Sequence, residues 1–149
     1  MPTQRDIVDA YVKAFVELNP ENAEDLYNLV SDKVFFTDPF NQITGKTGFK
    51  QVFDHMFETC DSPKFIVSDV AHSDGASYLR WRMTGKLKSW PHTKLNFEGM
   101  TEVHVNSEPK ISKHIDHWDS ASQLLQHLPV IGSIVRPILR MFRLKQEKI

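Results

Sequence analysis

The sequence predicts an α+β fold: amphipathic helices near the N-terminus, packed on one face of an antiparallel sheet, with a further amphipathic helix at the C-terminal end. Three observations lead there. Apolar residues recur at helical spacing as far as Met56, and from Phe65 onward the apolar period shortens to two. Turn-forming clusters then separate the period-two stretches at Ser73-Asp74-Gly75, Trp90-Pro91-His92 and Asn106-Ser107-Glu108-Pro109.

Thr3-Gln4-Arg5-Asp6 is a capping signal, and Ile7, Val8, Tyr11, Ala14, Phe15 and Leu18 share one face of the helix that follows. Asn19-Pro20 ends it. Pro20 is expected to open a shorter second helix with Ala23, Leu26, Tyr27 and Val30 on its apolar side, since a first helical turn does not need the missing amide hydrogen. Val34 to Asp38 is a short strand ended by Pro39, Asn41 to Gly45 a second, and Phe49, Val52, Phe53 and Met56 mark a third helix. Phe65–His72, Tyr78–Lys88, Leu95–Val105 and Ile111–Trp118 are expected as strands of an antiparallel meander. In the second of these, Leu79, Trp81 and Met83 alternate with Tyr78, Arg80, Arg82 and Thr84, the pattern of a sheet with two unlike faces. Asp119 or Ser120 caps a final helical region containing Leu124, Leu125 and Leu128. Ser133 starts another, with Ile131, Val135, Ile138 and Phe142 on one side, Arg136, Arg140 and Arg143 on the other, and Pro137 tolerable only near its start.

With 149 residues the chain suits one domain, 1–149, because dividing it would leave each half too small a core. A formal charge of −1 gives no field to attract a phosphate backbone, which argues against nucleic acid. The single Cys60 excludes an intrachain disulfide framework, and no secretory leader pattern stands at the N-terminus, so a reducing, cytoplasmic setting is expected. No uninterrupted apolar run is long enough to cross a membrane as a helix.

Helices followed by a long curved meander, Val34-Phe35-Phe36-Thr37-Asp38-Pro39 in the first strand, the run from Gly45 to Phe53, and His114-Ile115-Asp116-His117-Trp118-Asp119 before Leu125-x-x-Leu128-Pro129-x-x-Gly132 together resemble the nuclear transport factor 2-like superfamily. Within it, the chain is similar to an uncharacterised bacterial SnoaL-like, ketosteroid isomerase-like family, over roughly residues 5 to 140. The resemblance implies a cone-shaped, cystatin-like fold enclosing an apolar pocket. It also implies cofactor-independent isomerase, cyclase or hydrolase chemistry, or else a non-catalytic binding or protein-interaction domain. In ketosteroid isomerases an Asp base moves a proton while a Tyr and a protonated Asp donate hydrogen bonds to the developing oxyanion. Asp38 and Tyr11 match the first two, while Thr101 stands near the third. In limonene epoxide hydrolases a last-strand Asp activates water, and Asp116 matches it, but Arg80-Trp81-Arg82 replaces the Arg-x-Asp of the relay.

The candidate acid–base residues are therefore Asp38, Asp116, His114 and Tyr11, with His114-x-Asp116 on one face of the last strand and His117 on the other. Phe15, Phe36, Phe53, Trp81 and Trp118 are the candidate apolar wall for a ring-shaped or acyl ligand. His104, His114, Asp116 and His117 lack compact metal-ligand spacing, so no metal or other cofactor is expected. Cys60 has no evident partner base for a nucleophile. The expected partners are a small apolar molecule and a second copy of the chain, met through the sheet face carrying Arg80, Arg82 and His117. For the basic amphipathic segment 130–149, which includes Lys145 and Lys148, packing is favoured over contact with a membrane surface.

Overall fold

The computed structural model describes residues 1–146, which form two compact units divided after Trp118. In the first unit, helix α1 spans Gln4–Val16, α2 Ala23–Tyr27 and α3 Lys46–Thr59. Strands β1 (Val30–Thr37), β2 (Gln42–Thr44), β3 (Cys60–His72), β4 (Ser77–Leu87), β5 (Lys94–Val105) and β6 (Ile111–Trp118) make one curved sheet in the order β2-β1-β6-β5-β4-β3.

The expected capping signal forms a reciprocal box. The Asp6 amide donates to Thr3 Oγ1 (3.2 Å), and the Thr3 amide donates to the Asp6 carboxylate (2.7 Å). Val8, Tyr11 and Phe15 then turn into the core, where Phe36, Phe49, Phe53, Leu79 and Val103 are also buried and Phe15 meets Phe53 edge-on. Burying each such side chain contributes about 1.5–3 kcal/mol, which makes this aromatic layer the main force holding α1 and α3 on the sheet. α3 is preceded by its N-cap Gly45, whose φ of 104° suits only glycine and whose amide donates to the Val34 carbonyl (2.8 Å), tying the helix entrance to β1.

The alternation expected in β4 is present: Leu79, Trp81 and Met83 are buried, and Tyr78, Arg80 and Arg82 are exposed. Strands β3 to β6 form the antiparallel meander. The first strand departs from it. β1 pairs parallel with β6, Phe36 opposite His114, so the sheet closes through a long-range pairing that period-two patterning does not reveal.

Several boundaries move. Pro20 does not open the second helix. Asn19 Oδ1 accepts from the amides of Glu21 (2.9 Å) and Asn22 (3.1 Å), holding a turn there, and α2 begins at Ala23. Val30 belongs to β1, opposite Ile111, instead of to the helix. β3 starts at Cys60 rather than Phe65, with a register shift between Asp61 and Lys64 where Ser62 adopts φ 48°.

In the second unit, Asp119 caps the short helix α4 (Ser120–Gln123), and Leu125–His127 forms a 3-10 turn in place of a longer helix. Helix α5 spans Ile131–Met141, two residues earlier than Ser133. Val130 (φ 63°) is the centre of a γ-turn closed by the Ile131 amide on the Pro129 carbonyl (2.7 Å), a strained geometry for a β-branched residue. Pro137 lies inside α5 instead of near its start, leaving the Ser133 carbonyl without its helical donor. Lys148 lies outside the described residues. No helix among the described residues is long and apolar enough to cross a membrane.

Candidate functional site

Three rows of residues facing the helices follow from the strand register. Val103 is opposite His114, which is opposite Phe36; Leu79 is opposite Thr101, which is opposite Asp116; Trp81 is opposite Gly99, which is opposite Trp118. Over the third row, and between the sheet and α3, lies a cavity of about 240 Å³. Phe15, Phe36, Phe53, Trp81 and Trp118 all line it, together with Phe40, Phe65 and Phe97. The aromatic wall is held by ring contacts: Phe97 stacks on Trp118 at 4.5 Å between centroids, and Phe65 meets Trp81 edge-on at 6.1 Å.

The structure brings Tyr11, His114 and Asp116 together, with Asp116 lining the cavity and the other two behind it. His114 is buried between Phe36, stacked at 4.9 Å, and Tyr11. Its Nε2 lies 2.9 Å from Asp116 Oδ1, and its Nδ1 lies 2.7 Å from the Tyr11 hydroxyl. A carboxylate accepts only, so this network assigns the ring hydrogen to Nε2; Nδ1 is then the acceptor and Tyr11 the donor. Tyr11 can fill that role because burial, and secondarily the nearby Asp116 charge, hold its phenol well above the ordinary tyrosine range.

A second chain of donors reaches the same oxygen. The Trp81 indole N–H donates to Thr101 Oγ1 (2.8 Å), and the Thr101 hydroxyl donates to Asp116 Oδ1 (2.5 Å). Asp116 Oδ1 is thus fixed from two sides, while Oδ2 has no hydrogen-bond partner among the described residues. The side chain is 16% exposed, and the cavity is where it meets open space.

Asp38 also lines the cavity, at its rim, but is not joined to the other three. Its Oδ1 accepts from the Phe40 and Asn41 amides (2.8 and 2.7 Å) and from the Asn41 side chain (3.1 Å), so it shapes the turn after β1. Exposed Asn41 and His55 complete the polar rim. Cys60 lines the cavity too; burial, the largest influence, raises its thiol above the usual range, which disfavours a thiolate nucleophile. His104 and His117 lie away from the cavity, on Glu102 (2.6 and 3.7 Å), whose carboxyl is lowered first by the His104 hydrogen bond. Arg80 and Arg82 are exposed on that outer face, with Arg82 on Glu98 and Asn96.

Two residues of the site escape sequence reasoning. Thr101 looks like an absent acid, yet it connects the tryptophan wall to the carboxylate. Gly99 carries no side chain to attract notice, but a Cβ there would lie 2.7 Å from both Trp118 Cβ and Trp81 Cζ2; its bareness lets the two indoles share one row. The only sequence signal for either is position in β5 opposite Trp81 and Leu79, which requires the register.

The family model described as "SnoaL-like domain" matches residues 8–114. No protein of curated function matches the chain in sequence. Solved structures share its fold. A protein of Catenulispora acidiphila with a ketosteroid isomerase-like fold, in complex with trimethylamine, is 18% identical with a TM-score of 0.69, over 85% of this chain and 96% of that one. A protein of Exiguobacterium described as NTF2-like and of unknown function is 20% identical with a TM-score of 0.66, over 76% and 98%. One of Shewanella putrefaciens, named as a SnoaL-like polyketide cyclase, is 13% identical with a TM-score of 0.64, over 83% and 86%.

Proposed function

Because this chain belongs to the SnoaL-like domain family, we propose that its cavity takes a small, largely apolar carbonyl or hydroxyl compound, with Asp116 as the acid–base group. One observation carries this reading: Asp116 Oδ2 has no hydrogen-bond partner among the described residues and belongs to the lining of a largely apolar cavity, while Oδ1 is held by His114 and Thr101. A carboxylate oriented in that way accepts a hydrogen bond or a proton from a bound hydroxyl, a bound water or an acidic C–H. His114 Nε2–H supports the charge on Oδ1, and the Tyr11 hydroxyl keeps the imidazole in the tautomer that does so. Phe15, Phe36, Phe53, Trp81 and Trp118 hold the apolar body of the ligand, and Asp38 stands at the entrance. The chemistry is that of a cofactor-independent isomerase, cyclase or hydrolase.

A second reading, a binding domain without turnover, is favoured by a different observation. Asp38, the second carboxylate of the cavity, is engaged by the turn after β1 and is not joined to the Tyr11, His114 and Asp116 network, so the two carboxylates do not form a relay.

A thermal-shift screen of ring and acyl compounds tests both. A ligand at a hundred times its dissociation constant adds about 2.7 kcal/mol of stability. Asp116→Asn is expected to weaken the best ligand by about 1.5–3 kcal/mol, the value of a hydrogen bond to a charged group. For a turned-over compound it should lower the rate about 10²–10⁴-fold. Undiminished binding and turnover by Asp116→Asn would overturn the assignment; weakened binding with no turnover of any ligand would favour the second reading.

A further inference from the structure

The second unit carries an apolar face that nothing within that unit covers. In α5, Ile131, Ile134, Ile138, Met141 and the following Phe142 are between 47% and 85% exposed. At 100° per residue these side chains form one continuous stripe, and Arg136 and Arg140 project from the opposite side. Arg136 is anchored by donation to the Gln126 carbonyl (2.6 Å), so its guanidinium is held at the surface of the unit. Arg143 and Lys145 follow directly.

Charge in this stretch has a single sign. From Ser120 to Gln146 there is no Asp or Glu, against four Lys and Arg, although the whole chain has a formal charge of −1. A second copy laid along the same stripe would bury the apolar side chains but would leave the arginines on the opposite side without an anionic partner from that stretch. An anionic lipid surface satisfies both halves at once: the acyl boundary takes the isoleucine, methionine and phenylalanine side chains, and the phosphate headgroups take the arginines. At 11 residues α5 is about 16 Å long, roughly half the hydrocarbon thickness, so the geometry is that of a helix lying in the interface.

We infer that α5 is a docking surface for an anionic phospholipid bilayer, held by the Ile131, Ile134, Ile138 and Phe142 stripe and by Arg136, Arg140 and Arg143. Docking of this kind is separate from the cavity chemistry and stands whether or not the cavity turns anything over.

The experiment is flotation of the full chain with vesicles of phosphatidylglycerol mixed into phosphatidylcholine, against phosphatidylcholine alone. The chain is expected to float with the anionic vesicles only, and less as salt rises. Arg136→Gln with Arg140→Gln should weaken binding about thirtyfold, about fivefold for each charge. Ile134→Glu with Ile138→Glu should abolish it without altering the circular dichroism of the chain. Failure of the wild type to float with anionic vesicles overturns the inference, as does flotation that survives either double substitution or removal of residues 130–149. Dissociation of a sedimenting dimer by Ile134→Glu with Ile138→Glu, with no flotation of the wild type, would assign the stripe to a second copy instead.

Discussion

Replacing Thr101 with valine removes one oxygen from the centre of the buried network while leaving almost the same shape. Thr101 is fully buried, its Oγ1 accepts from Trp81 Nε1–H, and its hydroxyl donates to Asp116 Oδ1. Two losses follow. The indole N–H is left without an acceptor, at about 1–3 kcal/mol, and the carboxylate loses a charge-assisted donor, at about 1.5–3 kcal/mol. The sum, about 2.5–6 kcal/mol, is a large share of the roughly 5–15 kcal/mol that holds a domain folded. With urea slopes of about 1–3 kcal/mol per molar, the unfolding midpoint should fall by about 1 M or more. A double-mutant cycle separates the parts: in a Trp81→Phe background there is no indole N–H to strand, so Thr101→Val should cost only the carboxylate share and show a coupling of about 1–3 kcal/mol. A Thr101→Val protein within about 0.5 kcal/mol of wild type, or strict additivity with Trp81→Phe, would refute the network as described.

The Tyr27 hydroxyl is buried without a partner among the described residues, so Tyr27→Phe should be neutral or stabilise the protein by about 1 kcal/mol in urea unfolding at neutral pH; a loss of similar size would show that the oxygen is paired. Burial first, then Asp54 and Glu24, push the Tyr27 phenol up to about 12, and Tyr11 moves in the same direction. Above pH 10 the unfolded chain loses protons that the folded chain keeps, so stability is intact below pH 10 and falls toward pH 12. The slope is about 1.4 kcal/mol per pH unit for each tyrosine. Tyr27→Phe should remove its share of that slope, and an unchanged alkaline profile would contradict the assignment. Gly99→Ala would press a methyl 2.9 Å from the His117 carbonyl and 2.7 Å from two tryptophan carbons. A loss of about 1–3 kcal/mol with altered tryptophan fluorescence is expected, and a silent substitution would mean that the strands can part there.

Local chemistry made much of the architecture legible. The Thr3 and Asp6 box, the alternation through Trp81 and the turn at Ser73-Asp74-Gly75 are each decided by neighbours in sequence, and the corresponding elements form where expected. The parallel pairing of β1 with β6 depends on residues far apart, and no local pattern specifies it. The same distinction runs through the site. His114 and Asp116 lie two apart on one strand, so their shared face follows from periodicity, whereas the bridge through Thr101 and the gap at Gly99 exist only once β4, β5 and β6 are in register. The later start of α2 has a nearer cause: Asn19 caps a separate turn over residues 20–22, and Asn22, at φ −112° and ψ 7°, leaves helical backbone just before Ala23.

The parallel join between β1 and β6 also sets the order in which the chain can become a protein. β1 emerges early in synthesis, and its neighbour is the last strand of the sheet, so a nascent chain that has reached only β5 holds two open strand edges waiting for one missing piece. That piece carries His114 and Asp116. Cohesion of the sheet and the proposed acid–base group therefore arrive in a single late event, and a chain stopped before Ile111 would be adhesive and would lack the cavity's buried carboxylate.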